Sequence, residues 1–403
     1  MRLTVERLGH LGDGIAPGPV FVPMALPGEV VEGDIAAGRM QAPKIVEPSP
    51  DRVKPACPHY RACGGCALMH ASDGFVAGWK AEVVKTALAA QGLEAPFRPV
   101  ITSAPGSRRR ATLAGRRTKK GALVGFHGRA SETITEISGC RLLHPELMAS
   151  LPYLSEVTML GASRKGELAL TVTRTEGGID LAVLGGKPLE QSLFSSLAGL
   201  AERADLARLT WDSEAVANRR PAPQRFGRAL VVPPAGAFLQ ATPDGEAALV
   251  AAVREAVGGA RRVADLFAGS GTFTLPLAEN AEIHAVEGEA AMLVALDGGW
   301  RLAQGLHKVT TEARDLFSRP LMPDELKRFD AVVIDPPRAG AEAQMRELAM
   351  AKVPVIAGVS CNPVTFARDT RILSDSGYRI DWVQVVDQFR WSPHVELVAR
   401  LSL

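Results

Sequence analysis

Two groups of side chains in this sequence have the types and spacing to do chemistry. Cys57, Cys63 and Cys66 stand within ten residues, with Gly64 and Gly65 between the last two, and Cys140 supplies a fourth thiol. Thiols so spaced point to a metal centre, and four thiolates suit zinc or an iron–sulfur cluster equally well. The second group lies in the C-terminal half. A fifth cysteine, Cys361, sits in Ser360-Cys-Asn-Pro363 at the end of an apolar run, and carboxylates recur at Glu287, Asp315 and Asp335. A cysteine between a strand and a helix that starts at Pro363 is placed as a nucleophile, because a helix N-terminus lowers the pKa of a thiol.

The elements that must position this second group read clearly. Apolar runs at Arg262–Phe267, Ile283–Val286, Ala331–Ile334 and Val353–Val359 alternate with helical stretches. That rhythm predicts an open, mostly parallel α/β sheet, closed by strand-like runs at 378–386 and 395–403. Gly269 and Gly271 follow the first strand and form a tight turn, but Phe273 and Thr274 occupy the stretch where a dinucleotide site usually has a third glycine. Glu287, at the end of the second strand, is placed to accept both hydroxyls of a ribose. A crevice with several carboxylates and few phosphate donors suits S-adenosylmethionine, which carries a cationic sulfonium and no phosphate.

Upstream, the first 50 residues hold short strand-like runs punctuated by glycine and proline, which predicts a small β-barrel, and Pro48-Ser-Pro50 reads as a linker. Residues 51–225 predict a central α+β domain with a helix over 75–91, and residues 226–403 form the α/β domain. Between Arg98 and Arg129 stand nine basic side chains (Arg98, Arg108, Arg109, Arg110, Arg116, Arg117, Lys119, Lys120, Arg129) and no acid, a local excess that suits RNA phosphates. His59, inside the cysteine motif, reads as a solvated loop residue.

Composition excludes several classes. Hydrophobic residues make up 46% and charged residues 22%, which argues against disorder. No apolar run is long enough to span a bilayer, and the acid and glycines of the first 14 residues do not make a signal peptide. A soluble, cytoplasmic protein is expected, and in that compartment five cysteines are not a disulfide scaffold.

Asp335-Pro-Pro-Arg338, Ser360-Cys-Asn-Pro363, the tail Asp387-Gln-Phe-Arg-Trp-Ser-Pro-His-Val-Glu396 and Phe238-Leu-Gln240 together resemble the bacterial RNA 5-methyluridine methyltransferases. The resemblance covers the C-terminal half and the order of the parts before it. Thr242 and Thr272 stand where asparagine is common. By this resemblance Cys361 is the nucleophile and Glu396 the base, while Gln240, Phe267, Thr272, Glu287, Asp315 and Asp335 contact S-adenosylmethionine. It implies a Rossmann-like class I methyltransferase domain, an OB-like TRAM barrel at residues 1–50 and a [4Fe–4S] cluster on Cys57, Cys63, Cys66 and Cys140. The barrel and the cysteines favour 23S ribosomal RNA over transfer RNA as substrate. No DNA or membrane partner is expected, and a monomer is favoured.

Two rival classes have sequence tests. An RNA 5-methylcytosine methyltransferase usually carries a Pro-Cys motif after the fourth strand, and Asp335-Pro-Pro337 has no cysteine. A non-catalytic RNA-binding protein on the same fold has no use for Cys361 and Glu396. Taken alone, Glu396 reads as a surface strand residue.

Overall fold

The computed structural model describes all 403 residues. Residues 2–47 form a six-stranded sheet whose order runs Arg2–Thr4, Val30–Ala36, Arg39–Glu47, Val20–Val22, Gly14–Ala16, Arg7–Leu8. Its core is small: Val5, Val22, Ala25, Val31 and Met40 are sealed within it. Glu29 fastens this sheet to the next segment by accepting from Leu26 N at 2.8 Å, from Ser49 N at 3.1 Å and from Arg52 Nη2 at 2.7 Å.

A seven-stranded sheet follows, ordered Ile134–Glu136, Ala122–His127, Arg110–Arg117, Glu167–Thr175, Gly178–Leu184, Arg208–Trp211, Glu214–Asn218. Helices Leu151–Gly161 and Gln191–Arg203 cover it, and Trp211 is buried in the shared core.

The third sheet carries the chemistry. Five parallel strands run in the order Val309–Ala313, Glu282–Glu287, Arg262–Leu266, Ala331–Ile334, Val355–Ser360. Glu396–Ser402 then lies antiparallel between Val355–Ser360 and Arg379–Asp387. Alternate residues serve opposite faces: Val332 and Ile334 join one apolar layer, Ala331 and Val333 the other. Burial on both faces is why these strands read as unbroken apolar runs. No helix is long and apolar enough to cross a membrane.

One segment sits away from its neighbours in sequence. Helix Asp73–Ala89, capped by Ser72 Oγ accepting from Phe75 N at 3.2 Å, buries Val84 and Leu88 in the core of the third sheet. Ile101–Thr102 adds that sheet's eighth strand, parallel to Arg379–Asp387. A division of the chain at residues 50 and 225 follows chain order, whereas in space residues 73–102 pack with the C-terminal layer. The reason lies on the helix: its buried stripe is Val76, Lys80, Val84 and Leu88, and Lys80 carries a charge that needs a partner. That partner is Asp387, whose carboxylate receives the Lys80 ammonium while Phe389 O accepts a second bond at 3.2 Å.

Both members of the Lys80–Asp387 pair are sealed from water. Lys80→Ala leaves a buried carboxylate alone and should cost about 3–5 kcal/mol in urea unfolding. Lys80→Met combined with Asp387→Leu should recover most of that loss. A loss below about 1 kcal/mol in Lys80→Ala would mean that water reaches Asp387.

Candidate active site

The glycine turn begins where strand Arg262–Leu266 ends. Phe267, Gly269 and Gly271 adopt φ of 62°, 54° and 97°, and a Cβ at Gly271 would meet Leu296 Cγ at 2.9 Å. Glycine at 271 is therefore required twice, by its backbone and by its neighbour. Glu287 holds the turn shut: one carboxylate oxygen accepts from Gly269 N at 3.0 Å and the other from Glu289 N at 2.9 Å. Asp315 lies exposed at the next strand end, accepting from Phe317 N at 2.9 Å and Ser318 Oγ at 2.7 Å, which hold its pKa low. Phe317 is half exposed and tilts against Phe267 at 5.4 Å between ring centroids, an aromatic pair beside the turn that the sequence pattern did not single out.

Thr272 departs from this group. It lines a crevice of about 720 Å³ with Arg174, Arg225, Glu246 and Arg254, and the walls of that crevice include none of Glu287, Asp315, Asp335 or Cys361. Thr242 has a local reason to be threonine. It caps helix Pro243–Val257, its Oγ1 accepting from Gly245 N at 3.1 Å and lying 2.7 Å from Ser103 Oγ.

Cys361 follows strand Val355–Ser360 and precedes helix Pro363–Asp375. Asn362 caps that helix, accepting from Val364 N at 3.1 Å, and its own amide donates to Arg338 O at 2.8 Å. The Ser360–Pro363 and Asp335–Arg338 loops are thus tied together. Glu396 opens the neighbouring strand, where Ser360 pairs with Leu397, and only 3% of its surface is exposed. The structure therefore corrects its reading as a surface strand residue. Asp335 completes the group; its carboxyl is enclosed although the residue keeps an open edge.

Burial sets the charges here. It pushes the Glu396 carboxyl well above the usual range, with Asp335 adding to the rise and Gln388, Arg338 and Lys80 opposing it. Asp335 is pushed up to about 7 by burial and by Asp265. The Cys361 thiol goes up to about 11, by burial first and then by Glu396 and Asp335. Burial and the two carboxylates act against the lowering expected from the helix N-terminus.

The four remaining cysteines converge. Cys57, Cys63, Cys66 and Cys140 line one small cavity of about 20 Å³ with Tyr60, Met69, Phe126 and Ile137. Gly65 N donates to Cys63 Sγ at 3.3 Å and Leu142 N to Cys140 Sγ at 3.4 Å. Burial and the other three thiols push Cys66 up to about 12, while Arg108 opposes the shift. No three His, Cys, Asp or Glu side chains close around a single metal ion. His59 is half-buried rather than solvated, accepting from Gly139 N at 3.3 Å beside Cys140.

The basic stretch divides. Arg109 is buried against Glu246, Arg110 donates to Gly236 O at 2.9 Å, and Arg108 donates to Arg110 O at 3.1 Å. Arg98 pairs with Glu255 and lies over the Trp382 ring at 3.7 Å; Arg116 pairs with Glu167, and Arg129 donates to Cys66 O. These six have partners within the protein. Lys119 and Lys120 are exposed at the hairpin between Arg110–Arg117 and Ala122–His127, with Arg117 half-buried beside them.

Comparison with known proteins agrees with this geometry. The family model described as tRNA (uracil-5-)-methyltransferase matches residues 303–402. The whole chain is 46% identical to an uncharacterized RNA methyltransferase of Brucella suis, covering 97% of it. It is 32% identical to the 23S rRNA (uracil(1939)-C(5))-methyltransferase RlmD of Shewanella amazonensis, over 100% of this chain and 95% of that one. The solved tRNA (uracil-54, C5)-methyltransferase of Pyrococcus abyssi, in complex with S-adenosyl-L-homocysteine, shares the fold with a TM-score of 0.77 at 24% identity, over 100% of this chain and 99% of that one. The C-terminal sheet and its glycine turn define a class I methyltransferase fold. Within that class, the chain belongs to the RNA (uracil-5-)-methyltransferase family.

The raised thiol gives a direct expectation. Iodoacetamide labelling of Cys361, followed on its own peptide by mass spectrometry, should quicken about tenfold per unit between roughly pH 7 and pH 10, as thiolate forms. A rate that levels off below about pH 8 would show a thiol already ionised.

Proposed function

We propose that this protein methylates carbon 5 of uridine in RNA with S-adenosylmethionine, through a covalent bond between Cys361 and carbon 6 of the ring. The observation that carries the reading is the placement of Asp335, Cys361 and Glu396 at the same end of three adjacent strands, residues that the sequence spreads over 62 positions.

Carbon 5 of uracil is too weak a nucleophile to take a methyl group unaided. Cys361 loses its proton to solvent and adds as the thiolate to carbon 6, and the ring electrons move onto carbon 5 and the carbonyl oxygen as an enolate. S-adenosylmethionine, when bound, supplies an electrophilic methyl on a sulfonium. Carbon 5 then carries both a methyl and its original hydrogen. Glu396 removes that proton, the carbon 5–carbon 6 double bond re-forms, and the sulfur of Cys361 leaves. A carboxylate whose pKa lies above the usual range is the stronger base for this step. Gln240, Phe267, Glu287, Asp315 and Asp335 are assigned to the cofactor; Thr272 keeps that assignment with less support, since it faces the large crevice.

For the substrate, the full-length likeness to a 23S ribosomal RNA methyltransferase favours 23S ribosomal RNA. The six-stranded N-terminal sheet is read as the OB-like TRAM unit, with Arg117, Lys119 and Lys120 as the remaining candidates for phosphate contacts. A uridine inside folded RNA must be unstacked to reach Cys361, at a cost of a few kcal/mol. A cytoplasmic monomer completes the reading.

Cys57, Cys63, Cys66 and Cys140 are read as the ligands of a [4Fe–4S] cluster. The donor set fits: four thiols face one cavity but do not close on a single ion, two receive N–H donors, and Arg108 and Arg129 lie close enough to offset thiolate charge. Such a cluster would brace this segment against the tail, because Ala67 N and Leu68 N both donate to Trp391 O. Methyl transfer by the thiolate route needs no redox change. Protein purified without oxygen should contain about four irons per chain and be brown. One tightly held zinc in colourless protein would overturn the assignment.

The two catalytic roles separate by variant. Glu396→Gln should transfer methyl yet accumulate a protein–RNA adduct that survives denaturing electrophoresis, since its block falls after addition. Cys361→Ala should give neither product nor adduct, and the double variant should match it. Turnover by Cys361→Ala would contradict the nucleophile, and normal turnover without adduct in Glu396→Gln would move the base elsewhere.

A further inference from the structure

Gln388 lies in the tail between Asp387 and Phe389, buried to 1% exposure, and has no role in the chemistry above. Its neighbours are held rigidly. Asp387 is paired with Lys80 and its carbonyl accepts from Ser103 N at 3.0 Å, while Phe389 O accepts from Lys80 Nζ. The first turn of helix Pro243–Val257 packs directly on it: a Cβ at Gly245 would fall 2.6 Å from Gln388 Cβ.

The amide of Gln388 joins both halves of the site. Its Oε1 accepts from Ala241 N at 2.7 Å. A backbone N–H can only donate, so this bond fixes which end of the amide is oxygen. Nε2 must then donate, and it does so to Gln240 Oε1. With Oε1 engaged, the Gln240 NH₂ group is left as a donor without a partner within the protein, on a residue only 2% exposed. One backbone N–H thus sets the polarity of two side-chain amides.

We propose that Gln388 is a positioning residue that fixes the Gln240 amide for the cofactor. The inference rests on the role given to Gln240 above. Gln240 offers its NH₂ group to an acceptor on the cofactor, for which the carboxylate of the methionine portion has the matching chemistry.

Two variants test this. Gln388→Met removes both bonds at nearly constant volume. Gln388→Glu keeps the acceptor for Ala241 N and so guards against misfolding, but gives no dependable N–H to Gln240. In both, calorimetry with S-adenosylhomocysteine should show affinity weakened about tenfold, as expected for one lost orienting bond. In methyl transfer to transcribed, unmodified 23S ribosomal RNA, KM for S-adenosylmethionine should rise by about the same factor while kcat stays within about twofold. The rate of Cys361 alkylation should stay within about twofold of the parent, as expected of a thiol these bonds do not reach. Lowered thermal stability with unchanged cofactor affinity and unchanged KM would overturn the proposal and leave Gln388 as packing alone. If the parent methylates uridine while the Gln388 variants show no shift, only the positioning role fails. If the parent methylates no uridine, the functional reading fails, and this proposal falls with it.

Discussion

Asp335, Cys361 and Glu396 stand at the same end of three adjacent strands, and burial there favours the neutral form of each. Three acidic groups close together in such a place cannot all ionise without compensating charge or hydrogen bonds. Arg338 and Lys80 provide positive charge, from a loop and from a helix. In the proposed reaction, negative charge forms when the thiol proton leaves and electron density passes into the pyrimidine ring, and a carboxylate of raised pKa is then well suited to take the carbon 5 proton.

That constraint explains why the tail from Asp387 to Glu396 is bound to so many other segments. Lys80 reaches it from helix Asp73–Ala89, and Arg390 donates to Ser103 O at 2.9 Å and pairs with Asp73. Trp391 O accepts from Ala67 and Leu68 beside Cys66. Each contact spans roughly 280 to 330 positions of sequence, so their order depends on the completed fold and not on local propensity. A metal group on the four cysteines would act in the same direction, by stiffening the loop that donates to Trp391.

The sequence was informative where burial leaves a continuous pattern. Ala331–Ile334 is apolar at every position because both faces of that strand are covered, and the expected and observed strands coincide. The position of Cys361 between a strand and the helix that starts at Pro363 was legible. Long-range pairing was not. Arg109 looked like an RNA contact because its partner Glu246 lies 137 residues away. Glu396 gave no sign of burial, since one acid at a strand start is usually solvated. Lys80 did leave a signal, a lone cation in the stripe Val76, Val84, Leu88, and a charge at such a position calls for a distant carboxylate. Gln388 left none, because an amide's value here lies in two partners, Gln240 and Ala241, brought from a distant segment.

The central claim is that sulfur bonds to carbon 6 before methyl transfer and is released only when carbon 5 loses a proton. RNA in which uridine is replaced by 5-fluorouridine tests it on the unaltered protein, because fluorine cannot depart as a proton does. With S-adenosylmethionine present, the account predicts a stable protein–RNA species. After digestion, mass spectrometry should find Cys361 carrying a pyrimidine with both methyl and fluorine at carbon 5. Methylated fluorouridine product released freely, or an adduct on any residue other than Cys361, would contradict it.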